Sequence, residues 1–192
     1  MLVKDIVAKA FTLLDRPALA DKISKNQQLT DGENDAAQTM LFCFNAVEDE
    51  VARSYIRLIK DQEMTDSGSG FTFAYFMRPP ISIISVVADG KELDYKLSPT
   101  AVHVEGVTRA TVRYAYAPKK KSMTENSEFG DGIGENLFAY GAASEYCLIN
   151  GEVQAAELWE SKYRQAIDAA QAGDTPIGKL HAGGYIPPRR WV

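Results

Sequence analysis

The stretch that decides the fold is residues 71–117, FTFAYFMRPPISIISVVADGKELDYKLSPTAVHVEGVTRATVRYAYA. Apolar and polar residues alternate along it in short runs, and this period of two predicts β-strands. The dipeptide Asp89-Gly90 is typical of a tight hairpin, because both central residues of such a turn need positive φ. Glu105-Gly106 predicts a second hairpin. We expect a small antiparallel sheet or sandwich built from five runs, at 71–75, 81–88, 93–97, 101–104 and 111–116.

Helical periodicity precedes these strands. Apolar residues at helical spacing predict a first helix that stops at Asp15-Arg16-Pro17, since the residue before a proline disfavours the helical region. A polar connector follows, with a short helix possible around 19–23. A longer amphipathic helix is expected over 33–60, with Asp31 or Asn34 as its N-cap.

Two further helices follow the strands. Residues 136–149 are apolar on nearly all sides, which predicts a buried helix, and Gly141-Ala142-Ala143 should let another helix approach it closely. Asn150-Gly151 interrupts this pattern, and the last helix runs from Glu152 to near Gly173. The sequence therefore predicts an α+β fold, an antiparallel helical bundle with a small inserted antiparallel β-sheet or sandwich and an extended C-terminal arm. Its expected parts are N-terminal bundle helices (1–62), an inserted β domain (63–117), a surface loop (118–135), C-terminal bundle helices (136–173) and an extended docking arm (174–192).

The end of the chain has a composition of its own. Residues 180–192, LHAGGYIPPRRWV, carry aromatic and basic groups on a backbone that is not expected to be helical. Such a segment has no core, so its apolar side chains need apolar surface elsewhere, on another protein or on their own domain. We expect docking on another protein, with the two arginines pairing with carboxylates and the tryptophan filling a pocket. The candidate docking residues are Tyr185, Ile186, Pro187, Pro188, Arg189, Arg190 and Trp191.

Composition and charge limit the function. The chain has 192 residues, is 45% hydrophobic and has a formal net charge of −5. This charge argues against a nucleic-acid-binding surface, because such binding needs clustered Lys and Arg. One local cluster, Lys119, Lys120 and Lys121, is a candidate for channel or partner contact, with a plainly solvated loop as the alternative. No stretch approaches the roughly 20 apolar residues that span a bilayer, so we expect no membrane partner and a cytosolic protein.

Few residues in this sequence suggest a catalytic or metal-binding site. Cys43 and Cys147 lie in apolar helical patterns and are predicted to be buried, unreactive side chains. His103 and His181 are not spaced as metal ligands, and the carboxylates of Glu48-Asp49-Glu50 are predicted to lie on a solvated helix face. We therefore expect no catalytic residue, no metal and no cofactor, and a protein that is not an enzyme.

Three segments together with the inserted strands resemble a known family. They are CFNAVEDEVARSYI at 43–56, YGAASEYCL at 140–148 and WESKYRQAI at 159–167. In element order and hydrophobic pattern the chain is similar to tailed-bacteriophage head-to-tail connector proteins of the adaptor type. The resemblance implies a virion protein, assembled in the host cytoplasm, that forms a ring under the portal, usually dodecameric. It also implies that helices surround a channel through which DNA passes without being bound specifically. The arm would dock on the portal, and tail or neck proteins would be further partners.

Other interpretations remain open at this stage. The strand insertion is also compatible with a neck or tail-completion protein, which would place the chain in another tier of the same assembly. A small cytosolic enzyme or ligand-binding domain would need an enclosed site between sheet and helices, near Tyr114, Tyr116 and Tyr140. A regulatory module would use a sheet edge to add a partner strand.

Overall fold

Helices and strands are segregated along the chain. The computed structural model describes residues 1–66, 68, 70–130 and 133–173, and this part forms five α-helices and two small antiparallel sheets, so the fold is α+β as predicted. The expected arm at 174–192, with all of its candidate docking residues, lies outside the described residues. The helices are α1 (Val3–Leu13), α2 (Pro17–Ser24), α3 (Asp31–Ser54), α4 (Glu135–Ile149) and α5 (Val153–Gly173).

Helix α4 lies at the centre of the helical body. Nine of its residues are buried, and it packs against α1, α3 and α5. The predicted close approach at Gly141 is confirmed, because a Cβ there would lie 2.7 Å from Val47 Cγ1 on α3 and 3.0 Å from Tyr163 on α5. In the described part of the chain, no helix combines the length and apolar character that a membrane crossing requires.

Helix α3 begins and ends at residues other than those expected. Its N-cap is Thr30, whose hydroxyl accepts from the Glu33 amide while the Glu33 carboxylate accepts from the Thr30 amide, so the predicted Asp31 or Asn34 cap is wrong. The helix ends at Ser54 and not at Lys60. Tyr55 leaves the helical region with φ −124°, and the chain turns into the first strand.

The described strands form two sheets. The strands are β1 (Ile59–Thr65), β2 (Phe71–Thr72), β3 (Pro80–Ala88), β4 (Lys91–Leu93), β5 (Lys96–Leu97), β6 (Ala101–His103) and β7 (Arg109–Tyr116). The four-stranded sheet has the order β1-β7-β3-β4 and the three-stranded sheet the order β2-β6-β5, all antiparallel. Five runs were expected, but the structure has seven strands, because run 93–97 divides between the two sheets and one strand was missed.

The two predicted hairpins have different outcomes. Asp89 and Gly90 have φ values of 51° and 74°, and β3 pairs with β4 across them, as expected. Gly106 also has positive φ, 73°. However, β6 and β7 belong to different sheets, so the predicted hairpin at Glu105-Gly106 is wrong.

Strand β1 was missed because its sequence is polar. It is an edge strand, paired only with β7 among the described strands. Edge strands commonly carry charged side chains, which prevent further pairing. Asp61 forms two bonds to Arg113, at 2.7 and 2.9 Å, and Glu63 pairs with Arg109 at 2.6 Å. These pairs hold the register of the strand on the solvent side of the sheet.

Two hydrophobic clusters meet at the junction of sheet and helices. The larger cluster contains buried residues of all five helices together with Phe129. The smaller one lies within the strands, around Val112 and Tyr114. Tyr116, at the end of β7, packs against both. The end of β7 is therefore where the strand region is anchored on the helical body.

Gly141→Ala should destabilise the protein by about 1–3 kcal/mol, because the added methyl overpacks the contact of three helices. Gly32→Ala is the matched control in α3, since a methyl there meets nothing within 4 Å and alanine is the better helix former. Urea unfolding measures both differences. Equal stability of Gly141→Ala and wild type would show that the helices are not closely packed here.

Candidate functional site

A buried carboxylate lies where α3 meets the segment between β7 and α4. Glu48 is 1% exposed, and its Oε1 accepts from Ser127 Oγ at 2.7 Å and from the Glu128 amide at 2.8 Å. Burial raises the pKa of Glu48, and the two hydrogen bonds act in the opposite direction with a smaller effect. The prediction of a solvated carboxylate is therefore wrong for this residue. Spacing could have revealed it, because Phe44 and Ala52, four residues away on either side, are both buried.

Glu128, beside this carboxylate, forms ion pairs with two cationic side chains. Its Oε1 lies 2.7 Å from Arg78 Nη2 and 2.7 Å from Lys121 Nζ. All three side chains are largely buried, with 13%, 21% and 9% of their surfaces exposed for the glutamate, the arginine and the lysine. Burial alone would raise the pKa of Glu128, but Lys121 and Arg78 together lower it below its ordinary value. Arg78 also lies over the Tyr116 ring, 5.7 Å from its centroid.

We call these four charged residues, Glu48, Arg78, Lys121 and Glu128, the junction cluster. They come from α3, from the segment before β3 and from the segment after β7. Glu48 Oε2 and Arg78 Nη1 are buried and have no hydrogen-bond partner in the described part of the chain. An incompletely satisfied buried charge is costly, which agrees with the raised pKa of Glu48.

The segment 117–134 is held on the helical body by more than this cluster. Asn45 binds the Lys121 backbone at both ends, donating to its carbonyl at 3.1 Å and accepting from its amide at 2.6 Å. Leu2 forms a bridge with Asn126, and Phe129 is buried against Phe138. The predicted surface loop is therefore fixed to the helical body at several points, and Asp131 and Gly132 within it lie outside the described residues.

The predicted lysine cluster is divided by the fold. Lys121 enters the junction cluster, whereas Lys119 and Lys120 are exposed. The exposed pair lines an open groove of about 480 Å³ between α3 and the chain after β7. Contact of these lysines with a channel or a partner stays a prediction. The groove is lined by Phe42, Asn45, Ala46, Asp49, Arg53, Pro79, Ala117, Pro118, Lys119 and Lys120.

Large apolar side chains are exposed in separate places. One is Phe42 in the groove, which is 63% exposed, and another is the turn from α4 to α5, where Leu148, Ile149 and Val153 are each more than half exposed. The exposure of this turn was not predicted, because a helix that is apolar on all sides predicts burial up to its end. Within the described residues, the large apolar side chains of this kind are Phe42, Ile59, Tyr75, Met77, Leu97, Leu148, Ile149, Val153 and Leu158.

Tyr75 and Met77 are exposed on a segment that is held in place. The Gln62 side chain donates to the Tyr75 carbonyl and accepts from the Met77 amide, both at 2.9 Å. Tyr114, which is fully buried, donates to the same Gln62 oxygen at 3.0 Å. Both side chains are 67% exposed. The position of this segment is therefore set by the hydrogen bonds of the Gln62 side chain.

Of the three tyrosines named for an enclosed site, Tyr114 and Tyr116 are in ring contact, with centroids 6.4 Å apart, and Tyr140 lies on a helix. Tyr114 belongs to the core of the strands and Tyr116 to the junction. Tyr140 lies on α4, stacked on Trp159 with centroids 5.8 Å apart, and Lys162 lies 4.7 Å from the Trp159 ring centroid. The alternative of an enclosed site would need one pocket near all three tyrosines, but Tyr140 packs on Trp159, apart from the other two.

The cysteines are buried as predicted. The expectation that the protein binds no metal stays a prediction. Cys43 and Cys147 are both free and buried, and burial raises their pKa values to about 12 and about 11. Over the described residues, no group of three His, Cys, Asp or Glu side chains is arranged to hold a metal ion.

Comparison with known proteins adds no identification. No family model matches this chain, and no curated protein matches it in sequence. The resemblance to connector proteins therefore rests on residues 43–56, 140–148 and 159–167 and on the order of the elements.

Glu48→Gln should gain stability relative to wild type as the pH rises. The pKa of Glu48 is raised above its ordinary value of 4.5, so the folded chain holds this proton more tightly than the unfolded chain. Ionisation therefore lowers the stability of the wild type above pH 4.5 until the raised pKa is passed. Glutamine cannot ionise, and its oxygen can accept the same two hydrogen bonds.

Urea unfolding of both proteins between pH 4.5 and 8 measures this difference. Glu92→Gln is the matched control, because it makes the same chemical change at an exposed position in β4, away from the junction cluster. The lowered pKa of Glu128 produces the opposite trend, but it is present in both proteins of the comparison. A Glu48→Gln difference that stays constant or falls with pH would contradict the assignment.

Proposed function

We propose that this chain is a structural, non-enzymatic subunit of a tailed-bacteriophage head-to-tail connector. In this role it forms an oligomeric ring that joins the capsid portal to tail or neck proteins and surrounds the DNA channel. The observation that carries the proposal is the exposure of large apolar side chains at separate places on a well-packed body. Single apolar side chains on a surface are ordinary, but neighbouring ones, such as Leu148, Ile149 and Val153, mark a surface that another protein can cover.

The supports of these side chains favour the same role. Phe42 projects from α3, a helix of 24 residues, and Tyr75 and Met77 are held by Gln62. Preorganised apolar groups bind a partner at a lower entropic cost than mobile ones. A ring subunit needs several such surfaces, because each copy contacts two neighbours and the assemblies on either side.

Charge is compatible with a channel for DNA. The formal net charge of −5 gives the subunit the same sign as the phosphate backbone. An acidic wall does not hold DNA by counterion release, so DNA can slide past it. Lys119 and Lys120 are the exposed cations expected to touch either the channel or a partner.

Removing the arm tests the proposal directly. A chain that ends at residue 179 should fold, because the described helices and strands all lie before it, and it should no longer bind the portal protein of the same virion. Circular dichroism and urea unfolding measure folding, and co-sedimentation with purified portal measures binding. Negative-stain images of full-length chain with portal should show rings.

The matched control is the full-length chain with Arg189→Ala and Trp191→Ala, which keeps the length of the arm and removes its expected anchors. It should bind the portal much more weakly than wild type, because a few buried aromatic and arginine side chains dominate most interfaces. Portal binding by the truncated chain at wild-type strength would contradict the role of the arm. A full-length chain that stays monomeric with the portal would contradict the proposed function.

A further inference from the structure

Two surfaces of this chain are complementary to each other. One is the groove between α3 and the chain after β7, defined above. The other is the tip formed by residues 148–157, where α4 turns into α5. We propose that the tip of one copy inserts into the groove of a second copy. The inference rests on the proposed function, since it names the contact between neighbouring subunits of the ring.

The groove is concave, apolar in its floor and basic at its rim. Phe42 and Pro79 are exposed within it, so its apolar surface faces solvent in the single chain. Asp49 and Arg53 pair with each other at 2.7 Å and cancel in charge. Lys119 and Lys120 remain as its other charges, and neither forms a salt bridge with a described residue, although Glu125 interacts electrostatically with Lys119.

The tip is convex, apolar and acidic. Leu148 and Ile149 end α4, and Val153 begins α5, with 52%, 54% and 56% of their surfaces exposed. Glu152 and Glu157 lie beside Val153, the second one helical turn further along α5. Both glutamates are exposed, and neither has an ion pair with a described residue.

Shape and charge select the tip as the occupant of the groove. A groove of about 480 Å³ falls in the size range of roughly 300–1,000 Å³ in which small apolar groups are bound, so it can take the aliphatic side chains of the tip. Carboxylates then meet ammonium groups at the rim of an apolar contact, an arrangement that orients partners and speeds association. An unpaired acidic tip would not enter an acidic or neutral groove with the same preference.

The two surfaces differ, so the contact is heterologous. Each copy offers its tip to one neighbour and its groove to the other, and repetition of such a contact produces a closed ring or an open filament. Two copies cannot satisfy both surfaces of each other through a two-fold axis unless both contacts form at once. An open chain of copies therefore retains one free tip at one end and one free groove at the other until the ring closes.

Two variants that each lose one surface test this directly. Phe42→Asp places a charge in the groove and leaves the tip unchanged. Ile149→Asp places a charge on the tip and leaves the groove unchanged. Both side chains are more than half exposed, so neither change affects a core. Each variant alone should associate at least about tenfold more weakly than wild type, because apolar anchors at the centre of an interface dominate its affinity. An equal mixture of the two should form a 1:1 dimer and nothing larger.

Sedimentation velocity over a range of concentrations measures these species for the full chain. Leu97→Asp is the matched control, since Leu97 is 60% exposed in β5 and belongs to neither surface, and it should associate as wild type does. Lys120→Glu and Glu157→Lys should each weaken association and restore it when combined in one chain. Circular dichroism of each variant verifies folding.

Several results would overturn the inference. These are wild-type association of either aspartate variant, a mixture that remains monomeric, no restoration by the charge exchange, or a wild type that never associates. If rings with the portal form and Phe42→Asp leaves them unchanged, the interface is wrong and the proposed function stands. If no ring forms with the portal, the proposed function fails with it.

Discussion

The buried carboxylate of Glu48 is the constraint on which the rest of this structure depends. It is almost completely shielded from solvent, yet it accepts two hydrogen bonds from the segment after β7. Through Glu128 it is linked to Arg78 at the entrance to β3 and to Lys121. Strands, helices and connecting segment are therefore fixed to each other at one polar centre.

A buried charge cluster of this kind is weak evidence for net stability, because desolvation offsets much of the attraction. Its effect is better described as choosing one arrangement. If the segment after β7 moved along α3, Glu48, Arg78 and Lys121 would lose partners while still buried, which is strongly unfavourable. The groove depends on this arrangement, since Lys119 and Lys120 immediately precede Lys121. In this way a polar contact inside the molecule determines a surface outside it.

Much of the architecture could be predicted from local signals. The Asp89-Gly90 hairpin follows from backbone φ, and the close helix contact at Gly141 follows from the absence of a side chain. The capping box of Thr30 and Glu33 was readable from their spacing, although the neighbouring Asp31 and Asn34 were preferred. Each of these features is signalled by residues that lie at most a few positions apart in the sequence.

The features that were missed depend on distant partners. Strand β1 follows a helix whose spacing continues through Leu58, and its polar residues become a strand only because β7, about fifty positions later, pairs with them. The burial of Glu48 depends on Ser127 and Glu128, which lie 79 and 80 positions further along the chain. The exposure of the tip was not predicted for a different reason. Its apolar residues resemble those of the buried part of α4, so the sequence pattern does not separate the two. Whether each of these residues is buried, exposed or paired in a strand depends on contacts with distant parts of the chain, which the sequence pattern does not show.

Hydrogen exchange of two backbone amides tests the central claim most directly. The Glu128 amide donates to Glu48 and the Lys121 amide to Asn45, so both are held by side chains of α3 outside any helix or strand ladder. Measured by NMR at neutral pH, both should exchange about as slowly as the amides in the middle of α3. Exchange as fast as that of exposed turn residues would show that the segment opens independently and that the junction cluster does not hold the structure together.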